Sequence, residues 1–342
     1  MGRKWLSALL AISLLALVGC MSDEAQEGEA TSKSYTFKTT IQTPPIAAMS
    51  VGFDAYLDEI EEKSEGRIQF ERYYSESLVK VPDVVDALSA GIADVGVVIP
   101  VQMASKVPLS TLIYTPAVFE DSLVGGQAIH DLYDQSAVMN EELAKHNVTY
   151  AGQLTVPSSY IFTKEPIKDI SELKGLRIIA QGDQGILAEQ LGAVPVNLTS
   201  TESFEALQRG TVDGAIFNLT AATTYNLEQV AGHVYKLPLG GVGLLIGMNK
   251  EKFDALPEDL QTIVQEVAES HAKTFHQIYQ IEGDEVALEK IKAAGGSITE
   301  PTAADVKQLQ TIAEETVFKS WVEKNGDAAE EVMNLFLSLT QR

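Results

Sequence analysis

One cysteine, Cys20, stands in a chain of 342 residues, and only five histidines accompany it. With no second thiol there is no intrachain disulfide, no cysteine-rich zinc site and no cysteine nucleophile inside a folded body. His271 and His276 are about 140° apart round a helix, so they share no metal-binding face and read as polar or half-buried helix positions. His130, His146 and His233 are isolated. Positive charge is also scarce: 25 Lys and Arg oppose 48 Asp and Glu, a formal net charge of −23. Such a balance argues against nucleic acid or anionic headgroups as partners. Gly241-Val242-Gly243 lacks the period of a dinucleotide loop and leads into a strand pattern rather than a helix. No nucleophile elbow or phosphate-binding loop is present, and the many neighbouring carboxylates read as solvated faces. No catalytic constellation, metal site or cofactor is therefore expected.

Long apolar runs are few. The clearest, Trp5 to Val18, follows Arg3 and Lys4 and is too short for a comfortable membrane span. It leads into Leu17-Val18-Gly19-Cys20, which resembles the bacterial lipobox, whose Cys is lipidated and becomes the mature N-terminus. An ordinary cleaved signal with an incidental Cys is the competing reading. Residues 1–19 are thus expected to be a lipoprotein signal, and 20–34, acidic and rich in Ser and Thr, a flexible tether.

What the chain does have is an octamer written twice: Ala87-Leu88-Ser89-Ala90-Gly91-Ile92-Ala93-Asp94 and Ala206-Leu207-Gln208-Arg209-Gly210-Thr211-Val212-Asp213. Each copy follows apolar residues at helical spacing and precedes a short apolar run, Val95 to Ile99 or Gly214 to Phe217. The glycine suits the left-handed position that ends a helix. Each copy predicts helix, tight stop and buried strand, half of a βαβ crossover. Chance repetition of common residues is the alternative, but the structural context recurs with the letters. The expectation is two α/β lobes meeting at a cleft, where small ligands bind.

The segments around the first copy alternate strand and helix, from Tyr35–Ile41 and a helix over Phe53–Lys63 to Ile68–Tyr73. This predicts a mostly parallel sheet with ligands beyond the strands' carboxyl ends. A second unit begins near Val156, and the Gly-rich stretch Leu237–Met248 reads as strands returning to the first. Pro257 opens an amphipathic run through Leu260, Val264, Val267, His271, Phe275 and Tyr279. Continued to Ala294 it makes a helix about 57 Å long, enough to bridge both lobes, with a break near Gly283 as the alternative. Lobe I is placed at 35–156 plus about 245–284, and lobe II at 157–244 plus about 285–342.

Leu173-Lys174-Gly175-Leu176-Arg177-Ile178, Leu191-Gly192-Ala193-Val194-Pro195-Val196 and Glu205 to Gly214 together resemble the solute-binding proteins of TRAP (tripartite ATP-independent periplasmic) transporters, of the dicarboxylate-receptor type. Met248-Asn249-Lys250, Phe253, Leu256-Pro257 and Leu260 extend the likeness, which runs from about 35 to 335. The resemblance implies a two-lobed periplasmic-binding-protein-like α/β fold with a long helix bridging both lobes. It also implies closure on one small organic solute and delivery to membrane permease subunits. A ligand-binding sensor reporting to a signalling partner would have a similar sequence.

One departure stands out. The family's typical strand ends in an Arg that pairs bidentately with the ligand carboxylate, and Ile179 occupies that position. An aliphatic side chain does not replace a guanidinium fork. Phe217 likewise stands where an Asn is often found, with Asn218 one place late. The candidate ligand-binding residues are Gln42, Tyr74, Lys80 and Gln102 on first-lobe loops, and Tyr160, Arg177, Ile179, Gln181, Phe217 and Asn218 from the second lobe. Amides suit hydroxyl or carbonyl recognition, and Arg177 or Lys80 is an alternative anion partner. A neutral or weakly polar ligand is preferred over a dicarboxylate.

Overall fold

A computed structural model describes residues 33–341; the expected signal segment 1–19, Cys20 and the tether as far as residue 32 lie outside the described residues. The first lobe holds a five-stranded sheet in the order β2-β1-β3-β10-β4. Its strands are β1 (Tyr35–Thr40), β2 (Ile68–Tyr73), β3 (Val95–Val98), β4 (Val148–Val156) and β10 (Val242–Asn249). The second holds six strands in the order β11-β9-β5-β8-β6-β7. These are β5 (Tyr160–Thr163), β6 (Arg177–Ile179), β7 (Val194–Val196), β8 (Gly214–Phe217), β9 (His233–Tyr235) and β11 (Ser297–Thr299).

Both sheets are mixed rather than mostly parallel, and the difference has one source. In each sheet a single strand is reversed: β10 runs against β3 and β4, and β5 against β8 and β9. Both are strands by which the chain enters a lobe from the other one. Such a strand arrives at the edge where its neighbours finish: Tyr160 pairs with Phe217, the last residue of β8, and Val242 with Val156, the last of β4. Strands built within a lobe all point toward that shared edge.

The octamers adopt the conformation their spacing predicts. Helices α2 (Val84–Ser89) and α6 (Ser200–Gln208) precede Gly91 and Gly210, which take φ +69° and +73°. Ile92 N donates to Ala87 O and Thr211 N to Ala206 O, both at 2.9 Å. The closing aspartates each grip a neighbouring parallel strand twice. Asp94 N donates to Lys38 O at 2.8 Å, and its carboxylate accepts from Lys38 N at 2.7 Å. Asp213 N donates to Arg177 O at 2.8 Å, and its carboxylate accepts from Arg177 N at 2.9 Å.

Helix α1 (Ala48–Lys63) starts before the expected Phe53 and buries Phe53, Tyr56, Leu57 and Ile60 against the first sheet. Burial of such side chains contributes about 1.5–3 kcal/mol each. Helices α3 (Ser122–Gln135) and α4 (Ala137–Ala144) lead into β4, while α5 (Gly182–Gln190) and α7 (Leu219–Thr224) follow β6 and β8. After α8 (Lys250–Asp254), α9 (Glu258–His276) packs on α1, α3 and β4, and α10 (Gly283–Ala293) packs on α7 of the second lobe. A single π turn, Gln277–Glu282, joins them, and Gly283 remains helical. The rod is thus continuous and about 54 Å long. Gly283 is needed where α7 closes in, because a Cβ there would lie 2.5 Å from Thr220 Oγ1.

The C-terminal helices divide between lobes, which corrects the placement of 285–342 in lobe II alone. The turn before α11 (Ala303–Ile312) belongs to the second lobe, where Asp305 accepts from Ile170 N at 3.4 Å. A second π turn, Ala313–Phe318, leads to α12 (Lys319–Asn325), whose Trp321 donates to Thr111 Oγ1 at 2.8 Å. Helix α13 (Ala329–Thr340) then packs on α3. The apolar face of α13, with Val332, Met333, Phe336 and Leu339, is buried there instead of beside α11.

The lobes are joined by two extended backbone passages, 157–159 and 236–241, which hydrogen-bond to each other and to the first-lobe segment 116–121. Ala117 N donates to Leu239 O (3.0 Å), Gly241 N to Phe119 O (2.7 Å), Ser158 N to Glu120 O (2.8 Å) and Ser159 N to Gly240 O (3.1 Å). Gly240 takes φ +93°, and a Cβ on it would sit 2.1 Å from Ala117 N. A Cβ on Gly241 would meet Val156 O at 2.5 Å.

His271 departs from its expected half-buried state. It is fully enclosed between α9 and the first sheet, ring-edge to Tyr56 at 5.4 Å, and neither ring nitrogen has a partner among the described residues. Burial pulls its pKa down to about 4. The folded state therefore holds the neutral ring, and stability is lost as pH falls from 6.5 toward 4. The loss is about 3 kcal/mol for a shift of this size. His271→Leu should flatten that part of the Tm-versus-pH curve measured by calorimetry; an unchanged slope refutes the assignment. Gly240→Ala should cost about 2 kcal/mol or more in urea unfolding, because the new Cβ meets backbone at a positive φ.

Candidate ligand-binding cleft

Apart from Arg177, the candidate residues lie at or just beyond the edge shared by the two sheets. From the first lobe come the turns after β1, β2 and β3; from the second come the ends of β6 and β8 and the start of β5. Gln42, just past β1, is half-buried, and its Oε1 is buried without a donor among the described residues. Tyr74 donates to both carboxylate oxygens of Asp54, at 2.8 and 3.0 Å. Burial, then Asp54, raises its pKa. Lys80 bonds Glu76 at 3.0 Å, and Glu76 also accepts from Val81 N at 3.2 Å. Ser75 and Glu76 both take left-handed φ values, so the Lys80–Glu76 pair braces a strained turn. Gln102 sits exposed on the turn Pro100–Met103.

In the second lobe, Tyr160, Ile179 and Phe217 come together in one apolar cluster. Tyr160 donates to Glu120 at 3.3 Å, and Lys236 stands 5.9 Å from the centre of its ring. Burial, followed by the charge of Glu120, raises the Tyr160 pKa. Ile179 is 3% exposed. Gln181 donates to Leu198 O at 2.5 Å, within its own lobe. Asn218 caps α7 by accepting from Ala221 N at 2.8 Å, and its amide also hydrogen-bonds the Tyr279 hydroxyl.

Arg177 lies away from the cleft, and both it and Lys80 are paired with acids of their own lobes. Arg177 begins β6, at the end remote from the cleft, and makes a fork with Asp213: Nε to Oδ2 at 3.0 Å and Nη2 to Oδ1 at 2.7 Å. Nη2 also donates to Gly210 O at 2.9 Å. The fork holds the Asp213 carboxyl below its usual range. Lys252 makes the matching ion pair with Asp94 in the first lobe. The Arg177 guanidinium thus belongs to the clamp at the second octamer.

Three rings absent from the sequence candidates complete the site. Tyr279 of the bridging helix, beside Asn218, comes within electrostatic reach of Tyr114 of the first lobe and of Tyr225 of the second. Phe217 meets Tyr225 edge-on at 6.0 Å. The amphipathic rhythm marked Tyr279 as a buried helix position but carried no sign of which lobe it would meet; Tyr114 and Tyr225 had no signal at all. Beside them, burial pushes Asp284 up to about 6, against the opposing pull of Thr220 and Lys236.

Residues 43–324 match the family described as bacterial extracellular solute-binding protein, family 7. The chain belongs to this family. The C4-dicarboxylate-binding periplasmic protein DctP of Rhodobacter capsulatus is 24% identical over 301 residues, covering 86% of each chain. A TRAP periplasmic solute-binding protein from Desulfovibrio salexigens, described as an open complex, superposes with a TM-score of 0.82 at 22% identity, covering 89% of this chain and 95% of its own. One from Rhodoferax ferrireducens, in complex with copurified benzoate, gives 0.75 at 22% identity over 90% of this chain and 98% of its own. The two-lobed α/β receptor fold and the long helix are those of TRAP solute-binding proteins, which act outside the cytoplasm.

Because Arg177 closes the octamer clamp, Arg177→Ala should lower Tm by a few degrees. It should leave unchanged the Tm increment that a bound solute produces. Loss of that increment at an unchanged Tm would return Arg177 to the cleft.

Proposed function

We propose that this protein is the extracytoplasmic receptor of a TRAP-type secondary transporter, held at the membrane by a lipid on Cys20. It closes on a small organic solute and passes it to membrane permease subunits. The observation that carries the reading is the meeting of both sheets' strand ends at one edge, beside two hydrogen-bonded passages. Such a body shuts by bending at the passages while each core stays packed. A solute that bridges both lobes only in the shut form supplies the differential affinity that drives closure. Rings, amides and hydroxyls at that edge are groups that hold a solute rather than transform it.

The anchor is supported by Leu17-Val18-Gly19-Cys20 after a basic and apolar start, followed by an acidic stretch. Expressed in its native membrane system, the wild-type protein should partition into the detergent phase and co-elute with permease subunits. Cys20→Ser should move it to the aqueous phase with its Tm intact. A wild-type protein found in the aqueous phase would refute the anchor, and failure to co-elute with any permease would refute the transport role.

A further inference from the structure

We propose that the cleft selects an uncharged organic solute bearing a ring and a hydroxyl or amide N–H donor, and disfavours simple carboxylates. The proposal rests on the receptor reading above and names the ligand class of that same site.

Positive charge decides the first part. Lys80, the cation on the first-lobe turn, is bound to Glu76 at 3.0 Å and braces a strained loop. Lys236, at the second lobe's strand-end edge, lies between Glu300 at 3.6 Å and the Tyr160 ring. Arg177 is at the wrong end of its strand and forked onto Asp213. Position 179, at the right end of the same strand, is a buried Ile. A carboxylate entering the cleft would lose its hydration and find each of these cations already matched to an acid. It would also approach Asp183, at the start of α5, whose carboxyl burial itself disfavours the charged form.

Gln42 decides the second part. Its buried Oε1 is an acceptor with no donor among the described residues, and such an atom is destabilising unless something donates to it. A hydroxyl or amide N–H can do so; a carboxylate has no proton to offer. The rings decide the third. Tyr279 of the bridging helix hydrogen-bonds Asn218 and lies near Tyr114 and Tyr225, and Phe217 meets Tyr225 edge-on, so rings from both lobes gather beside Asn218. Such a lining favours a flat or cyclic body.

The test uses full-length protein in detergent and probes that share one skeleton: benzyl alcohol and benzamide (uncharged), benzoate (anionic) and benzylammonium (cationic). Methyl glucoside against glucuronate forms a second series. Tm increments and calorimetric Kd values are read at one pH. The expected result is an uncharged member binding at least about tenfold tighter than its charged partners, a gap of about 1.4 kcal/mol. Gln42→Leu should remove most of that preference, and Ile179→Arg should newly favour benzoate. Should Ile179→Arg fail to fold, Gln42→Leu still decides. Tighter binding of benzoate or glucuronate by the wild type overturns the proposal, as does tighter binding of benzylammonium. No response to any probe overturns it as well. None of these results touches co-elution with the permease, so the ligand class and the receptor reading fail separately.

Discussion

The architecture depends on two stretches of backbone passing between the lobes, which hydrogen-bond to each other and to the first-lobe segment 116–121. Gly240 and Gly241 lie where backbone of the neighbouring segments leaves no room for a Cβ. Because the passages are this tight, each chain segment that changes lobe must enter the new sheet at its cleft edge. That is why β5 and β10, alone in their sheets, run backward. It is also why the ends of all the other strands meet there. The cleft is a consequence of how the chain crosses, and its residues are those that happen to finish strands.

Charge in this acidic chain is used with a similar economy. The aspartate that closes each octamer is held by backbone from a parallel strand and by one cation, Lys252 in the first copy and Arg177 in the second. Lys80 and Lys236 are likewise matched to local acids. With cations so few, pairing them for structure leaves the cleft to amides, hydroxyls and rings. The Asn218–Tyr279 bond ties that edge to the bridging helix.

Two helical rods cross between the lobes, and each changes from α to π hydrogen bonding as it crosses: at Gln277–Glu282 and at Ala313–Phe318. A π turn is a local overload of one residue in the ladder, and such turns concentrate where a helix must answer two packing partners. Here the partners are the two cores. His271, sealed and unbonded on the first-lobe side of the longer rod, belongs to the rigid half of the structure rather than to the joint.

Local rules were enough for much of this. The repeated octamer specified helix, left-handed glycine and strand, because those features depend on spacing over a few residues. The apolar rhythm from Leu260 to Tyr279 specified a rod too long for one lobe. Candidate residues at strand ends were legible for the same reason: Tyr160, Ile179, Phe217 and Asn218 follow from where strands stop. Other properties depended on contacts between segments far apart in the chain. The partner of Arg177 is 36 residues away, and strand pairing alone decides which end of β6 it occupies. Tyr114, Tyr225 and Tyr279 come from three different parts of the chain, and only the packing of the lobes around the bridging helix gathers them. The reversed strands and the return of α13 to the first lobe were likewise settled by which apolar faces could be buried together. The sequence by itself determined the elements and the two-lobed plan, since these are set by periodicity and turn chemistry. Tertiary structure alone decided which charges are spent, which amide is left wanting a donor and which rings face the solute, because each is a property of partners rather than of positions.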